Sequence, residues 1–234
     1  MADTLTMISA AELINKILAG ERDLSNTKFQ PGKADLSAED GFAELNKYVA
    51  GITDLRENGF TANNIDWAGV RAPGLFLQSV KMPGANLAGA DLRGADMRRS
   101  DMTGANLTGA NLSGIVLNNG RYIGADFSDS DMTGAEFYEA NFSKARFLNV
   151  NFAVAYTVRA NFSEADFTGS ELGGANFYRS DLRGAIGLEA AHNLATCAFK
   201  ATVVTARERD IIEAARSALP LFDLRTEMSD PPRR

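Results

Sequence analysis

Along the middle of the chain a large apolar residue recurs at every fifth position. From Trp67 the series keeps step through Leu77, Met82, Leu87, Leu92, Met97, Met102, Leu107, Leu112, Leu117, Tyr122, Phe127, Met132, Phe137, Phe142, Phe147, Phe152, Phe162, Phe167, Leu172, Phe177 and Leu182, with Ala72 and Thr157 as the weak members. A helix advances about 100° per residue, so this spacing would smear the apolar positions around it, and the frequent glycines would break it. A flat strand alternates with period two, so steps of five would switch faces. The chain must turn once per repeat. The residue two before each centre is also of inward size, first Ile65, Val70, Leu75 and Val80 and then mostly Ala or Ser, so two of every five residues face a core.

A longer period is written over the short one. Glycine is frequent two residues after the centre, but Ser79, Arg99, Asn119, Glu139, Arg159 and Arg179 interrupt it at intervals of twenty. Four pentapeptides therefore make a coil. Glycine accepts the positive φ of a type II turn, so three sides are expected to share one turn type and the glycine-less side to use another. About six coils stacked about 4.8 Å apart would form a rod roughly 30 Å long. Stacking would bring Phe127, Phe147 and Phe167 into one ladder in the interior, where they are packing rather than a cofactor box.

A repeat such as Ala90-Asp91-Leu92-Arg93-Gly94, with small, Asp or Asn, and large apolar residues in order, resembles the pentapeptide repeat family and its A(D/N)LXX motif. The resemblance covers residues 60 to 186, about half of the chain. It implies an all-β solenoid: a right-handed, quadrilateral parallel β-helix, here with α-helical N- and C-terminal caps.

Outside the repeats the spacing turns helical. Ser9-Ala10-Ala11-Glu12 forms a capping box before Leu13, Ile14, Ile17 and Leu18, predicting a helix over 10–19. Ser37-Ala38-Glu39-Asp40 precedes Phe42, Leu45, Tyr48 and Val49, with Gly51 behind. Leu24 and Phe29, five apart, suit an incomplete first coil. Thr205-Ala206-Arg207-Glu208 opens a third helix bearing Ile211, Ile212, Ala215 and Leu219, with Pro220 as its stop and SDPPRR as a frayed tail. The expected organisation is a helical N-terminal cap over 1–59, a repeat solenoid over 60–187 and a C-terminal cap over 188–234. Caps are needed because open solenoid ends would polymerise; a homodimer through the Ile211 face is the competing use of the last helix.

Composition narrows the function. The 234 residues carry a net charge of −6, which argues against direct nucleic-acid binding. The single cysteine rules out an internal disulfide framework. The N-terminus lacks a signal-peptide pattern and no stretch approaches a membrane span, so we expect no membrane association and a cytoplasmic location. His192 and Cys197 share the stretch EAAHNLATCAFK, but a polar cap histidine and a buried cysteine are commoner than a dyad. The Asp and Asn residues before the centres follow from the repeat and lack the glycine-rich calcium pattern. No catalytic residue, metal or cofactor is expected.

Binding on the outer surface remains, and the resemblance offers two forms of it. One is a non-catalytic interaction scaffold for an unidentified protein partner, as in cyanobacterial differentiation regulators of this family. The other is the quinolone-resistance group, whose acidic rods imitate duplex DNA and bind gyrase or topoisomerase. For the mimic, Asp126, Asp129, Asp131, Glu136 and Glu139 form an acidic run with no base before Lys144. Against it, Arg93, Arg98 and Arg99 alternate with Asp91, Asp96 and Asp101. The scaffold is preferred, because such mixed charge is more often an ordinary solvated surface and electrostatic imitation is the mimic's only mechanism; the glycine-less side, which collects Phe76, Arg98, Arg99, Val116, Tyr138, Tyr156, Val158, Arg159, Tyr178 and Arg179, residue types enriched in protein interfaces, is the expected face. Cover by a terminal helix is the bland account of that side.

Overall fold

The computed structural model describes residues 5–29, 34–52, 59–63 and 65–218. Single-residue parallel bridges link Thr61 to Lys81, Asp66 to Asn86, Arg71 to Asp91 and Phe76 to Asp96, and the same step of twenty continues to Asp166 and Ile186. The backbone thus closes a coil every four pentapeptides and stacks it on the last. Among the described residues the one multi-residue pairing is β1 (Thr6–Met7) beside β2 (Thr27–Lys28).

The backbone donors of one repeat explain its sequence. Around Leu87, Ala85 N–H closes the corner on Met82 O at 3.2 Å, and Asn86 N–H reaches Ile65 O of the preceding coil at 3.0 Å. Leu87 N–H and Gly89 N–H reach Asn106 O and Thr108 O of the next coil at 2.7 and 2.8 Å. The remaining donor, Ala88 N–H, is held by the Asn86 side chain at 3.3 Å. All five N–H groups have partners, as an ordered backbone requires. Asp or Asn before the centre is therefore the acceptor for the one donor that stacking leaves out. Arg71 and Lys81 lack that side chain, and each is followed two residues later by a proline, Pro73 or Pro83, which has no donor to satisfy.

The expected second turn type is not found. The glycine-less corners have the same positive φ as the glycine ones: 57° at Ser79, 60° at Arg99 and Asn119, 54° at Glu139, and 57° at Arg159 and Arg179. Stacking explains why. Arg99 N–H bonds Asn118 O at 2.9 Å as Gly94 N–H bonds Ser113 O at 2.9 Å, so every corner must present its donor along the same axis.

Every centre from Trp67 to Leu182 is buried, the weak members Ala72 and Thr157 included. The rings of Phe127, Phe147 and Phe167 stack at successive centroid distances of 5.3 Å. Tyr122, Phe142 and Phe162 form a second stack at 4.7 and 5.3 Å. The buried Tyr122 hydroxyl lies 2.9 Å from Ser100 Oγ and donates to Leu117 O at 3.2 Å. Gly120 leaves room for it, since a Cβ there would lie 2.2 Å from that hydroxyl.

The ladder continues beyond both limits expected from the repeats. At the N-terminal end Asp23, Lys28 and Asp35 bridge Thr61, Asp66 and Arg71, so Leu24 and Phe29 sit inside a partial coil. Its fourth side is taken by α2 (Phe42–Ala50), where Asn46 stands in for a peptide unit: Nδ2 donates to Gly74 O and Oδ1 accepts from Phe76 N–H, both at 2.9 Å. Ser37 donates its hydroxyl to Asp35, at a 3-10 turn over Leu36–Ala38, and Gly41 begins α2. The Ser9–Glu12 box opens α1 (Ala10–Leu18), which buries Leu13, Ile14 and Ile17.

At the other end, bridges from Glu171 to His192, Asn176 to Ala198 and Asp181 to Val203 add a looser coil. Its corners are 3-10 turns, Leu188–Ala190 and Leu194–Thr196, which lengthen the sides. The Thr205–Glu208 box opens α3 (Ala206–Ser217), which packs on both turns and buries Ile212, with Ile211 partly covered. Leu219, Pro220 and the tail lie outside the described residues. Cys197 points inward and donates to Leu172 O at 3.0 Å, whereas His192 is exposed, and no hydrogen bond joins them among the described residues. Burial pushes the Cys197 thiol up to about 12, which keeps it protonated and a poor nucleophile.

Three outcomes are expected. Phe147→Ala opens a cavity between two stacked rings and lowers stability by about 3–5 kcal/mol in denaturant unfolding. Asn46→Ala removes both hydrogen bonds that close the first coil and costs about 1–3 kcal/mol in the same measurement. Cys197 stays unreactive toward a colorimetric disulfide reagent at pH 8 in the folded protein and reacts in denaturant; rapid native reaction would contradict its burial.

Candidate protein-binding face

Twenty-residue stacking sorts the outward residues of the glycine-less side into three columns. One runs through Phe76, Asp96, Val116, Glu136, Tyr156 and Asn176. The next holds Gln78, Arg98, Asn118, Tyr138, Val158 and Tyr178, and the corner column holds Ser79, Arg99, Asn119, Glu139, Arg159 and Arg179. All ten residues expected to form a face therefore share this side.

They are not equally available. Phe76 is partly buried and packs on the core, because α2 covers this side at the first coil. Its inclusion as an exposed contact is corrected on that ground. Val116, Val158 and Tyr178 are half-buried, while Tyr138 and Tyr156 are 40% and 53% exposed. Val154 joins them at 56% exposed, at the corner that leads into Tyr156. Sequence reasoning missed it because its column is otherwise glycine, at Gly74, Gly94, Gly114, Gly134 and Gly174. The available signal was a β-branched residue at a corner, where its φ is 53°.

Hydrogen bonds hold the polar members. Arg159 lies over the Tyr138 ring at 5.8 Å and donates to the Tyr138 hydroxyl and to Glu139, each at 2.9 Å. The Arg159 hydrogen bond, followed by that of Tyr138, holds the Glu139 carboxyl below its ordinary range. Arg179 lies over the Tyr178 ring at 5.0 Å. At the other end of the face, burial acts to raise the Asp96 carboxyl, but hydrogen bonds from Arg98 and Gln78 outweigh it and hold it low. Arg99 donates to Gln78 at 2.8 Å.

The acidic run does not come together. The chain turns a corner every five residues, so Asp126, Asp131 and Glu136 lie on three successive sides. Arg146 stacks on Asp126 and pairs with it at 2.7 Å, Asn149 donates to Asp129 at 3.1 Å, and Arg159 neutralises Glu139. No continuous negative stripe results. Among the described residues no three His, Cys, Asp or Glu side chains converge as metal ligands would, and no helix is long and apolar enough to cross a membrane.

Comparison with known proteins follows the same lines. The family profile described as pentapeptide repeats matches eight copies, over residues 81–119, 110–148, 123–155 and 145–184. No curated protein sequence matches the chain. Among solved structures, HetL from the cyanobacterium Nostoc sp. strain PCC 7120, a pentapeptide repeat protein involved in heterocyst differentiation regulation, is 19% identical with a TM-score of 0.53. That alignment covers 84% of this chain and 94% of HetL. QnrB1, a plasmid-mediated fluoroquinolone resistance protein, is 19% identical over 70% of this chain and 88% of its own, with a TM-score of 0.37. Rfr23 from the cyanobacterium Cyanothece 51142 is 23% identical over 58% of this chain and 91% of its own, with a TM-score of 0.33. At these identities the HetL likeness is one of fold. The repeats over residues 81–184 are thus those of the pentapeptide repeat family.

Proposed function

We propose that this chain is a right-handed, four-sided β-helix closed at its ends by helices, and that it acts in the cytoplasm as a non-catalytic scaffold for a protein partner. The observation that carries this reading is the exposed cluster of Tyr138, Val154 and Tyr156, flanked by Arg159, Tyr178 and Arg179 on one side of the stacked coils. Tyrosine and arginine bind at low cost when their side chains are already held, and here cation–π contacts and hydrogen bonds hold them before any partner arrives. The alternative partner, gyrase approached by DNA imitation, needs a negative stripe, and the acidic run is divided among sides and stacked against Arg146 and Arg159.

The joint substitution Tyr138→Ser, Tyr156→Ser and Tyr178→Ser is expected to shift the melting temperature by no more than about 4 °C, because these side chains stand largely outside the core. It should remove the dominant partner, identified by mass spectrometry after photo-crosslinking from a residue beside Tyr156. Unchanged crosslinking to that partner would refute this face. In a gyrase supercoiling assay no inhibition is expected at large excess; inhibition at low micromolar concentration would replace the scaffold reading with the mimic.

A further inference from the structure

The backbone of this face leaves donors that the stacked coils do not use. Each pentapeptide leaves one N–H that the coils above and below do not use, and Asp or Asn two residues earlier accepts it. On this side Asp96 serves Arg98 N–H at 3.3 Å and Asn176 serves Tyr178 N–H at 3.0 Å. Glu136 does not serve Tyr138 N–H; Asn118 of the preceding coil does so, at 2.7 Å. At the next coil Tyr156 replaces the Asp or Asn, and Val158 N–H, like Gln78 N–H after Phe76 and Asn118 N–H after Val116, has no acceptor among the described residues; of these three donors it is the one beside both exposed tyrosines. This donor lies between Tyr138 and Tyr178, its neighbours in the column.

Charge points the same way. Arg179 is committed to the Tyr178 ring and, among the described residues, has no ion pair. Lys200, whose carbonyl accepts Arg179 N–H at 3.1 Å, continues the column past Tyr178, is exposed and likewise has no ion pair among the described residues. Of the carboxylates on the neighbouring coil of this face, Glu139 is occupied by Arg159, and Glu136, the ladder neighbour of Tyr156, accepts from Asn118 Nδ2 at 3.4 Å. A free backbone donor, two unpaired cations and three tyrosines are thus gathered at one end of a protein whose net charge is −6.

We propose that this end of the face receives an acidic protein segment, one whose Asp or Glu carboxylate accepts Val158 N–H in the place of the missing side-chain cap while an adjoining apolar side chain rests on Tyr156 and Val154. The proposal rests on the scaffold reading and specifies the partner's chemistry. A carboxylate meets both needs of the site, since it accepts from an N–H and neutralises Arg179 and Lys200. A basic or purely apolar segment meets neither.

The test uses the full chain, labelled with nitrogen-15, and three end-blocked decapeptides in which leucine alternates with aspartate, asparagine or lysine. The aspartate peptide is expected to shift the Val158 amide and to bind more weakly as salt rises. The asparagine and lysine peptides should bind about tenfold or more weaker. Tyr156→Asn, which restores the intramolecular cap, should keep or raise the melting temperature and weaken the aspartate peptide by about tenfold or more. Arg179→Glu provides a second variant and should weaken it likewise. Equal binding of the aspartate and asparagine peptides, an unmoved Val158 amide, or unchanged binding by both variants would overturn the inference. So would self-association in sedimentation that Tyr156→Asn abolishes, with no peptide binding, because the occupant would then be a second copy. If the aspartate peptide fails while the triple tyrosine variant still loses its crosslinked partner, the carboxylate inference falls and the scaffold face stands; if both fail, both fall.

Discussion

Three hydrogen bonds per pentapeptide, one N–H donating to the coil before and the centre and corner N–H groups to the coil after, hold the molecule together. They are parallel to one another along the stack, so each coil must repeat the path of its neighbour. That requirement forces a left-handed residue at every corner, whether glycine supplies it freely or Arg99, Glu139 and Arg159 adopt it at a cost on the order of 1 kcal/mol or more each. It also leaves one N–H per repeat pointing away from both neighbouring coils. The recurrent Asp or Asn and the prolines at 73 and 83 are two chemical answers to that single leftover donor.

The core follows from the same repetition. With identical backbone paths, residues twenty apart share an environment, so the centres stack like with like: Phe127 under Phe147 under Phe167, and Tyr122 under Phe142 under Phe162. Burial of large rings offsets the entropy of ordering a chain that has little regular helix or sheet of its own. Ends are where repetition stops, and there the protein substitutes other groups for the missing coil. The Asn46 amide completes a side at one end, and α3 covers the widened turns at the other.

A repeating backbone also turns periodic sequence into surface. Residues far apart in the chain, from Arg98 to Arg179, become neighbours in columns on one side, while consecutive acids from Asp126 to Glu139 are dealt out to different sides. Mixed columns therefore read as ordinary solvated surface, and a column that breaks the local rule carries information. The Tyr156 position exposes a ring and, like Phe76, Val116, Arg121 and Arg146, gives up an acceptor. Because the scaffold is bonded in three dimensions around this position, the exposed groups keep their spacing without a partner.

The sequence by itself determined the coil. The spacing of five and the overlay of twenty are consequences of local packing and turn requirements, so the centres, the phenylalanine ladder, the Ser9 and Thr205 capping boxes and the membership of the glycine-less side were all legible in it. Tertiary structure decided what depends on contacts between distant segments. Neighbouring coils imposed one turn geometry on corners whose residue types pointed to two. The docking of α2 covered Phe76 and left Tyr138 and Tyr156 open, and Val154 became visible as part of the face only when its corner was placed beside Tyr156. Periodicity specifies what repeats, because every copy meets the same neighbours; it is silent where a neighbour occurs once.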